Sequence, residues 1–109
     1  MKKTIILAVV MGFAAVLTAS AAGAKDNWDT LCAKCHGADG KGQTNIGKRL
    51  GVKDYSDAQV QSALTDDAAF KAIKEGLKNS DGKIQMKPYS NLSDDDIKAL
   101  VAYMRTFKK

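Results

Sequence analysis

The sequence has few residues that cross-link a chain, bind metals or restrict the backbone: its 109 positions include two cysteines, one histidine and one proline. Two Cys and one His fall short of the four ligands that a structural zinc site uses. The single proline, Pro88, and the lack of repeats or low-complexity tracts argue against linkers and repeat arrays. No window shows sustained alternation of apolar and polar residues. We therefore predict one compact domain of the all-α class.

The sequence also lacks an apolar run long enough to cross a membrane as a helix. The longest run, Ile5 to Leu17, has 13 residues, whereas a spanning helix needs about 20. The lysines of Met1-Lys2-Lys3 precede it, and small residues follow it with cleavage sites of A-x-A type. We predict that residues 1–24 are a cleaved signal peptide, that residues 25–109 form the domain, and that the mature protein is periplasmic. A retained membrane anchor is the alternative.

Charge of one sign is not concentrated in the predicted domain. Its 15 Lys and Arg against 12 Asp and Glu leave a formal charge of +3, which gives little support to nucleic-acid binding. A domain of 85 residues has a small core, and domains of this size often rely on a bound metal or another staple.

The segment Cys32-Ala33-Lys34-Cys35-His36 is a C-x-x-C-H motif. In this motif two thiols add to the vinyl groups of a haem, and the adjacent histidine binds the iron. One helical turn brings Cys32 and Cys35 to the same side. A structural disulfide, a thioredoxin-like redox pair and a zinc site are the alternatives. We favour covalent haem, because a disulfide needs no histidine and a thioredoxin-like pair needs a strand and helix setting.

Two methionines of the predicted domain could supply the second axial ligand. Met86 lies in an irregular stretch stiffened by Pro88. Met104 belongs to a narrow apolar stripe on the final helix, formed by Ile97, Leu100, Val101, Met104 and Phe107. We predict Met86 as the ligand, with Met104 and an open site as alternatives. A thioether opposite imidazole raises the reduction potential, and a filled sixth position discourages oxygen chemistry.

Helix signals divide the domain into short elements. We predict a first helix over 27–31 with Asp26 or Asn27 as its cap, and a long ordered loop from Gly37 to Asp54. Further helices are predicted to start at Ser56-Asp57, at Thr65-Asp66-Asp67 and at Ser93-Asp94-Asp95-Asp96, with Gly76 ending the second of them. Apolar candidates for core or cofactor pocket are Tyr55, Phe70, Ile73, Leu77, Tyr89 and Leu92.

The predicted domain resembles a bacterial class I cytochrome c, a small monohaem protein. The similar segments are Cys32 to Gly42, Met86 to Tyr89, and Leu92 to Tyr103. The resemblance implies about four short helices wrapped around one covalently bound haem c, with the first and last helices crossing. It also implies that the Trp28 side chain packs against the final helix, near Leu100 and Tyr103.

The chain departs from that family in Gly47-Lys48-Arg49-Leu50, where the family usually has Gly-Pro before a leucine. In the family the proline carbonyl accepts the proton of the histidine's other nitrogen. We expect the carbonyl of Lys48 to accept this hydrogen bond from His36.

These features predict a one-electron carrier and not an enzyme. A haem subunit of a larger oxidoreductase is the alternative, as is a haem enzyme or gas sensor if the sixth iron site is open. Lys71, Lys74 and Lys78 are predicted on one helical face, with Lys83 and Lys87 beside Met86. They form either a solvated face or a docking patch for an acidic redox partner. We expect a monomer that meets membranes only through partner complexes.

Overall fold

A computed structural model describes residues 23–109, and the signal peptide predicted over 1–24 lies outside this range except for its last two residues. The first helix, α1, covers 23–36. It is α-helical over 23–27, π-helical over Trp28–Cys32 and α-helical again over Ala33–His36. The remaining elements are α2 (Asn45–Leu50), α3 (Ala58–Ala63), α4 (Asp66–Glu75), β1 (Leu77–Lys78), β2 (Ile84–Met86) and α5 (Asp94–Arg105). Within the described range, no helix combines the length and hydropathy needed to cross a membrane.

The helix starts predicted for α3, α4 and α5 are confirmed. Asp57 and Thr65 accept backbone N–H groups at the starts of α3 and α4. Ser93 and Asp96 form a reciprocal capping box at the start of α5, because each side chain accepts the backbone N–H of the other. The cap predicted for α1 is wrong. Asn27 has helical dihedrals and makes no capping hydrogen bond, since residues 23–26 are already helical.

Two elements were not predicted. The glycine-rich stretch after His36 contains α2, which Thr44 caps and which Gly51 ends in the left-handed region at φ 71°. The described chain therefore has five helices where about four were expected. The antiparallel hairpin β1–β2 pairs strands of only two and three residues, too short to show an alternating pattern. The fold remains predominantly helical, as the all-α prediction requires.

The buried core joins α1, α4 and α5. Its members are Trp28, Cys32, Ala69, Leu100, Val101 and Met104. The Trp28 ring lies 6.0 Å from that of Tyr103 and 5.1 Å from that of Phe107, measured between centroids. The expected packing of Trp28 on the final helix is thus confirmed, and it ties the cysteine-bearing helix to the rest of the domain.

A polar network holds α5 against α3. Gln61 is buried, and its amide nitrogen donates to the carbonyls of Tyr55 and Met104 at 2.7 and 3.0 Å. Its amide oxygen accepts from Arg105 at 2.8 Å, and the same guanidinium donates to Asp66. Each hydrogen-bonding group of the buried amide has a partner, so its burial is not penalised.

Candidate functional site

The end of α1 positions the two cysteines one helical turn apart. Cys32 is buried, Cys35 is half-buried, and both thiols are free. Burial, with a smaller contribution from Cys35, raises the pKa of Cys32 to about 11, so this thiol is neutral at physiological pH. Among residues 23–109 no three His, Cys, Asp or Glu side chains group as a metal site. The structure therefore supports neither the disulfide nor the zinc alternative.

Trp28 fixes the turn that follows His36. Its indole N–H donates to the carbonyl of Gly37 at 2.9 Å within the buried core. Gly37 has φ 83° and ψ 152°, a conformation that essentially only glycine adopts, and its N–H donates to Ala33 at 2.8 Å. The turn after the cysteine motif is therefore held by a hydrogen bond from Trp28, a residue of the same helix.

The glycine-rich stretch satisfies the last carbonyls of α1. The Thr44 hydroxyl donates to the Cys35 carbonyl at 2.7 Å and accepts the Gly47 N–H at 2.8 Å. The Gly42 N–H donates to the His36 carbonyl at 2.8 Å. A side chain at Gly47 would clash with the Cys35 carbonyl and would place its Cβ 2.6 Å from the carbonyl oxygen of Gly42. The glycines thus allow a second backbone to pack directly on the cysteine motif.

The imidazole of His36 packs against two aromatic rings that also contact each other. Its centroid is 5.5 Å from that of Trp28 and 5.4 Å from that of Tyr55, with which it stacks at 22°. Burial lowers the pKa of His36, which favours the neutral imidazole that binds metals. Its Nδ1 is buried and has no hydrogen-bond partner among the described residues.

The hydrogen bond expected from His36 to Lys48 is therefore wrong for this structure. The prediction assumed an irregular loop, but Lys48 belongs to α2, where carbonyls point along the helix axis. The neighbouring Gly47 carbonyl accepts from Val52 at 3.0 Å. In this structure the rings of Trp28 and Tyr55 pack against the His36 imidazole, and the predicted carbonyl does not accept its Nδ1–H.

The donor groups of the motif fit a covalent haem. Two free thiols lie one helical turn apart, and burial keeps the adjacent imidazole in the neutral form that binds a metal. Cys32, Cys35 and His36 are the residues that could hold the group.

The two candidate methionines lie in different surroundings. Met104 is 4% exposed and packs in the core with Trp28, as the apolar stripe predicted. Met86 is half-buried at the end of β2, opposite Leu77 of β1. A Cβ on Gly76 would lie 2.6 Å from the Met86 carbonyl oxygen, so the backbones of the hairpin base are in close contact there.

Tyr89 links the Met86 segment, residues 86–89, to α1, the helix that carries the cysteines. Its N–H donates to the carbonyl of Ile73 on α4, and its hydroxyl donates to the carbonyl of Leu31 on α1, both at 2.9 Å. Leu31 directly precedes Cys32. The structure thus joins two segments of the chain through residues that lie 58 positions apart in the sequence.

Lys71, Lys74 and Lys78 do not share the one helical face that was predicted. Lys71 and Lys74 lie on α4, whereas Lys78 lies in β1, because Gly76 ends the helix. Lys74 is engaged in an ion pair with Asp94 at 2.9 Å. Lys83 and Lys87 are exposed on either side of β2. The basic surface nearest Met86 therefore belongs to the hairpin.

Sequence reasoning missed Thr44 and the tether made by Tyr89. Thr44 carries a local signal, because threonine is a favoured helix cap and α2 follows it. No local signal indicates the hydrogen bond from Tyr89 to Leu31, since it joins positions 58 residues apart.

Comparisons with known proteins agree with this site. The family model for cytochrome c matches residues 20–108. The solved structure of the KustC0563 c-type cytochrome is 32% identical with a TM-score of 0.68, over 79% of this chain and 98% of that one. The structure of a variant of that protein, in which a tyrosine is replaced by phenylalanine, is 31% identical with a TM-score of 0.66, over 79% of this chain and 99% of that one. Among curated proteins none matches. The chain belongs to the cytochrome c family, whose cofactor is covalently bound haem c and whose chemistry is haem-based electron transfer.

Proposed function

We propose that this protein is a periplasmic one-electron carrier and not an enzyme. Cys32 and Cys35 hold a single haem c through thioether bonds, and His36 and Met86 are the axial iron ligands. The observation that carries the proposal is the Tyr89 hydroxyl, which ties the Met86 segment to the Leu31 carbonyl beside Cys32.

The haem iron, when bound, supplies a reversible one-electron change. The protein's residues set the conditions for it. Burial keeps the pKa of His36 low and its imidazole neutral, with Trp28 and Tyr55 against the ring. The Met86 thioether favours the reduced state, and it occupies a position that small ligands would otherwise reach. Neither role requires a proton donor or a substrate pocket, which is why we propose a carrier.

Substitution of the methionines tests the ligand assignment in the haem-loaded protein. Met86→Ala should lower the reduction potential, abolish the far-red absorption band of methionine bound to ferric iron, and open the iron to carbon monoxide. Cys32 and Cys35 should keep the haem attached. Met104→Leu, a volume-conserving change in the core, is the control and should leave the band in place. The assignment is wrong if Met86→Ala changes nothing and Met104→Leu removes the band.

Intact mass and cell fractionation test export. We expect a soluble periplasmic species that starts between Ala22 and Lys25 and carries the added mass of one haem. A dominant membrane-bound species that retains residues 1–17 would contradict the free carrier. Constant copurification with an oxidoreductase would instead favour the subunit alternative.

A further inference from the structure

The sequence contains two cleavage motifs of A-x-A type, one directly after the other. They are Ala19-Ser20-Ala21 and Ala22-Gly23-Ala24. Cleavage after the first motif gives a mature chain that starts at Ala22, whereas cleavage after the second gives one that starts at Lys25. The two mature chains differ by residues 22–24, and the motifs alone do not distinguish them. The structure describes residues 23 and 24, so it bears on the choice.

The buried face of α1 begins at Ala24. This residue is 2% exposed, compared with 4% for Trp28 and 7% for Cys32. The three residues recur at every fourth position and therefore share one face of the helix, while Lys25 and Asp26 between them are exposed. Trp28 and Cys32 belong to the core that joins α1 to α4 and α5. Ala24 extends that buried face by one turn towards the N-terminus.

The burial of Ala24 gives the second motif a structural explanation. A small residue is favoured at position 24 because a larger side chain would have to displace the atoms packed around it. Packing therefore accounts for the alanine that ends the second motif. The first motif ends before the helix begins to contribute to the core, and cleavage explains its pattern of small residues.

Cleavage after Ala24 would remove the first turn of α1. In a helix each carbonyl accepts the N–H of the residue four positions later, so the carbonyls of residues 23 and 24 would be lost to the next turn. The new ammonium group would lie on Lys25, which already carries a positive side chain. Positive charge is unfavourable at the N-terminus of a helix because it opposes the helix dipole. A chain that starts at Ala22 keeps both carbonyls and the buried methyl group of Ala24.

We infer that signal peptidase cleaves the bond between Ala21 and Ala22, so that the mature protein starts at Ala22 and keeps Ala24 in its core. Water adds across this bond and leaves a carboxylate on Ala21 and an amino group on Ala22. The inference rests on the proposed function, because it requires export. It shortens the signal peptide predicted over 1–24 to residues 1–21.

The intact mass of the haem-loaded protein tests the inference directly. The full precursor is expressed, and the mass of the dominant species identifies its first residue. We expect a species that starts at Ala22. A dominant species that starts at Lys25 overturns this inference but leaves the proposed export in place. A dominant species that retains Met1 rejects export, and the inference falls with it.

A matched pair of substitutions tests which motif is used. Ala19→Leu removes the first small residue of the first motif, and Ala22→Leu removes the first small residue of the second. Ala19→Leu should abolish most of the cleavage after Ala21. Ala22→Leu should leave that cleavage in place and change the mass of the product only by the substituted residue. Unchanged processing in Ala19→Leu, or blocked processing in Ala22→Leu, overturns the inference.

Deletions test whether Ala24 belongs to the folded domain. A precursor that lacks residues 22–24 keeps the first motif and should yield a haem-loaded chain that starts at Lys25. Its denaturant midpoint should lie below that of the wild type, because the buried face of α1 is one turn shorter. Deletion of residues 22 and 23 is the matched control and should lose less, since it keeps Ala24 and removes the exposed Gly23, where a Cβ would have no atom within 4 Å. Equal midpoints for the wild type and the longer deletion overturn the inference.

Discussion

The cysteine-bearing region over 28–47 and the hairpin region over 76–89 are built in opposite ways. In the first, Thr44, Gly42 and Trp28 donate to the carbonyls of Cys35, His36 and Gly37, and Gly47 packs backbone on backbone. In the second, strands of two and three residues are largely exposed, and Tyr89 ties their end to the helices. The buried positions of the first region leave little room for larger side chains, whereas the exposed side chains of the hairpin can vary without disturbing the core.

This difference predicts where substitutions act. Changes at the buried positions over 28–47 should reduce the free energy of unfolding, because they break buried contacts. Changes at the exposed positions over 77–87 should leave stability nearly intact, whereas changes at Met86 and Tyr89 should alter ligand binding at the iron.

The largest effect is expected for Gly47→Ala. Its Cβ would clash with the Cys35 carbonyl and lie 2.6 Å from the Gly42 carbonyl oxygen, so two backbone segments must move apart. We expect a loss of about 3 kcal/mol in the free energy of unfolding, measured by denaturant titration of the haem-loaded protein. Gly51→Ala is the control, because Gly51 has φ +71° but open space around it. Its loss should be only about 1 kcal/mol, and equal losses would contradict the packing argument.

A smaller effect is expected for Trp28→Phe. Phenylalanine keeps an aromatic ring in the core but leaves the buried Gly37 carbonyl without the indole N–H that donates to it at 2.9 Å. The loss should be about 1–3 kcal/mol. The reduction potential should also shift, since the ring contacts His36. Tyr103→Phe, which keeps the ring that packs on Trp28, is the control. If both variants lose the same stability, the indole hydrogen bond contributes nothing specific.

The same contrast explains what could be predicted from the sequence. The cysteine motif and the capping box at Ser93 and Asp96 depend on residues within one turn of each other, so their spacing is visible in the chain. The assignment of Met104 to the core followed from periodicity. Met86 as a ligand and the signal peptide remain predictions.

Features that depend on distant parts of the chain could not be predicted. The glycines over 37–47 suggested a loop, because the close approach of Gly47 to Cys35 is visible only in three dimensions. For the same reason the surroundings of His36 were expected to include the Lys48 carbonyl and instead include the ring of Tyr55. The strands of the hairpin have two and three residues, whereas alternation of apolar and polar residues can be recognised only over about four or more.

The smallest change in stability, and the sharpest test of the contrast, is expected for Tyr89→Phe. The variant keeps the ring but removes the hydroxyl that donates to the Leu31 carbonyl at 2.9 Å. Because this contact is only partly buried, the free energy of unfolding should fall by about 1 kcal/mol or less. The Met86 segment should nevertheless leave the iron more often, so carbon monoxide or imidazole should bind severalfold faster. Lys87→Gln is the control, since the Lys87 ammonium lies 5.4 Å from the same ring but makes no part of the tether. Unchanged ligand-binding rates in Tyr89→Phe would mean that the hairpin is held by its backbone contact with Gly76 and not by the tyrosine.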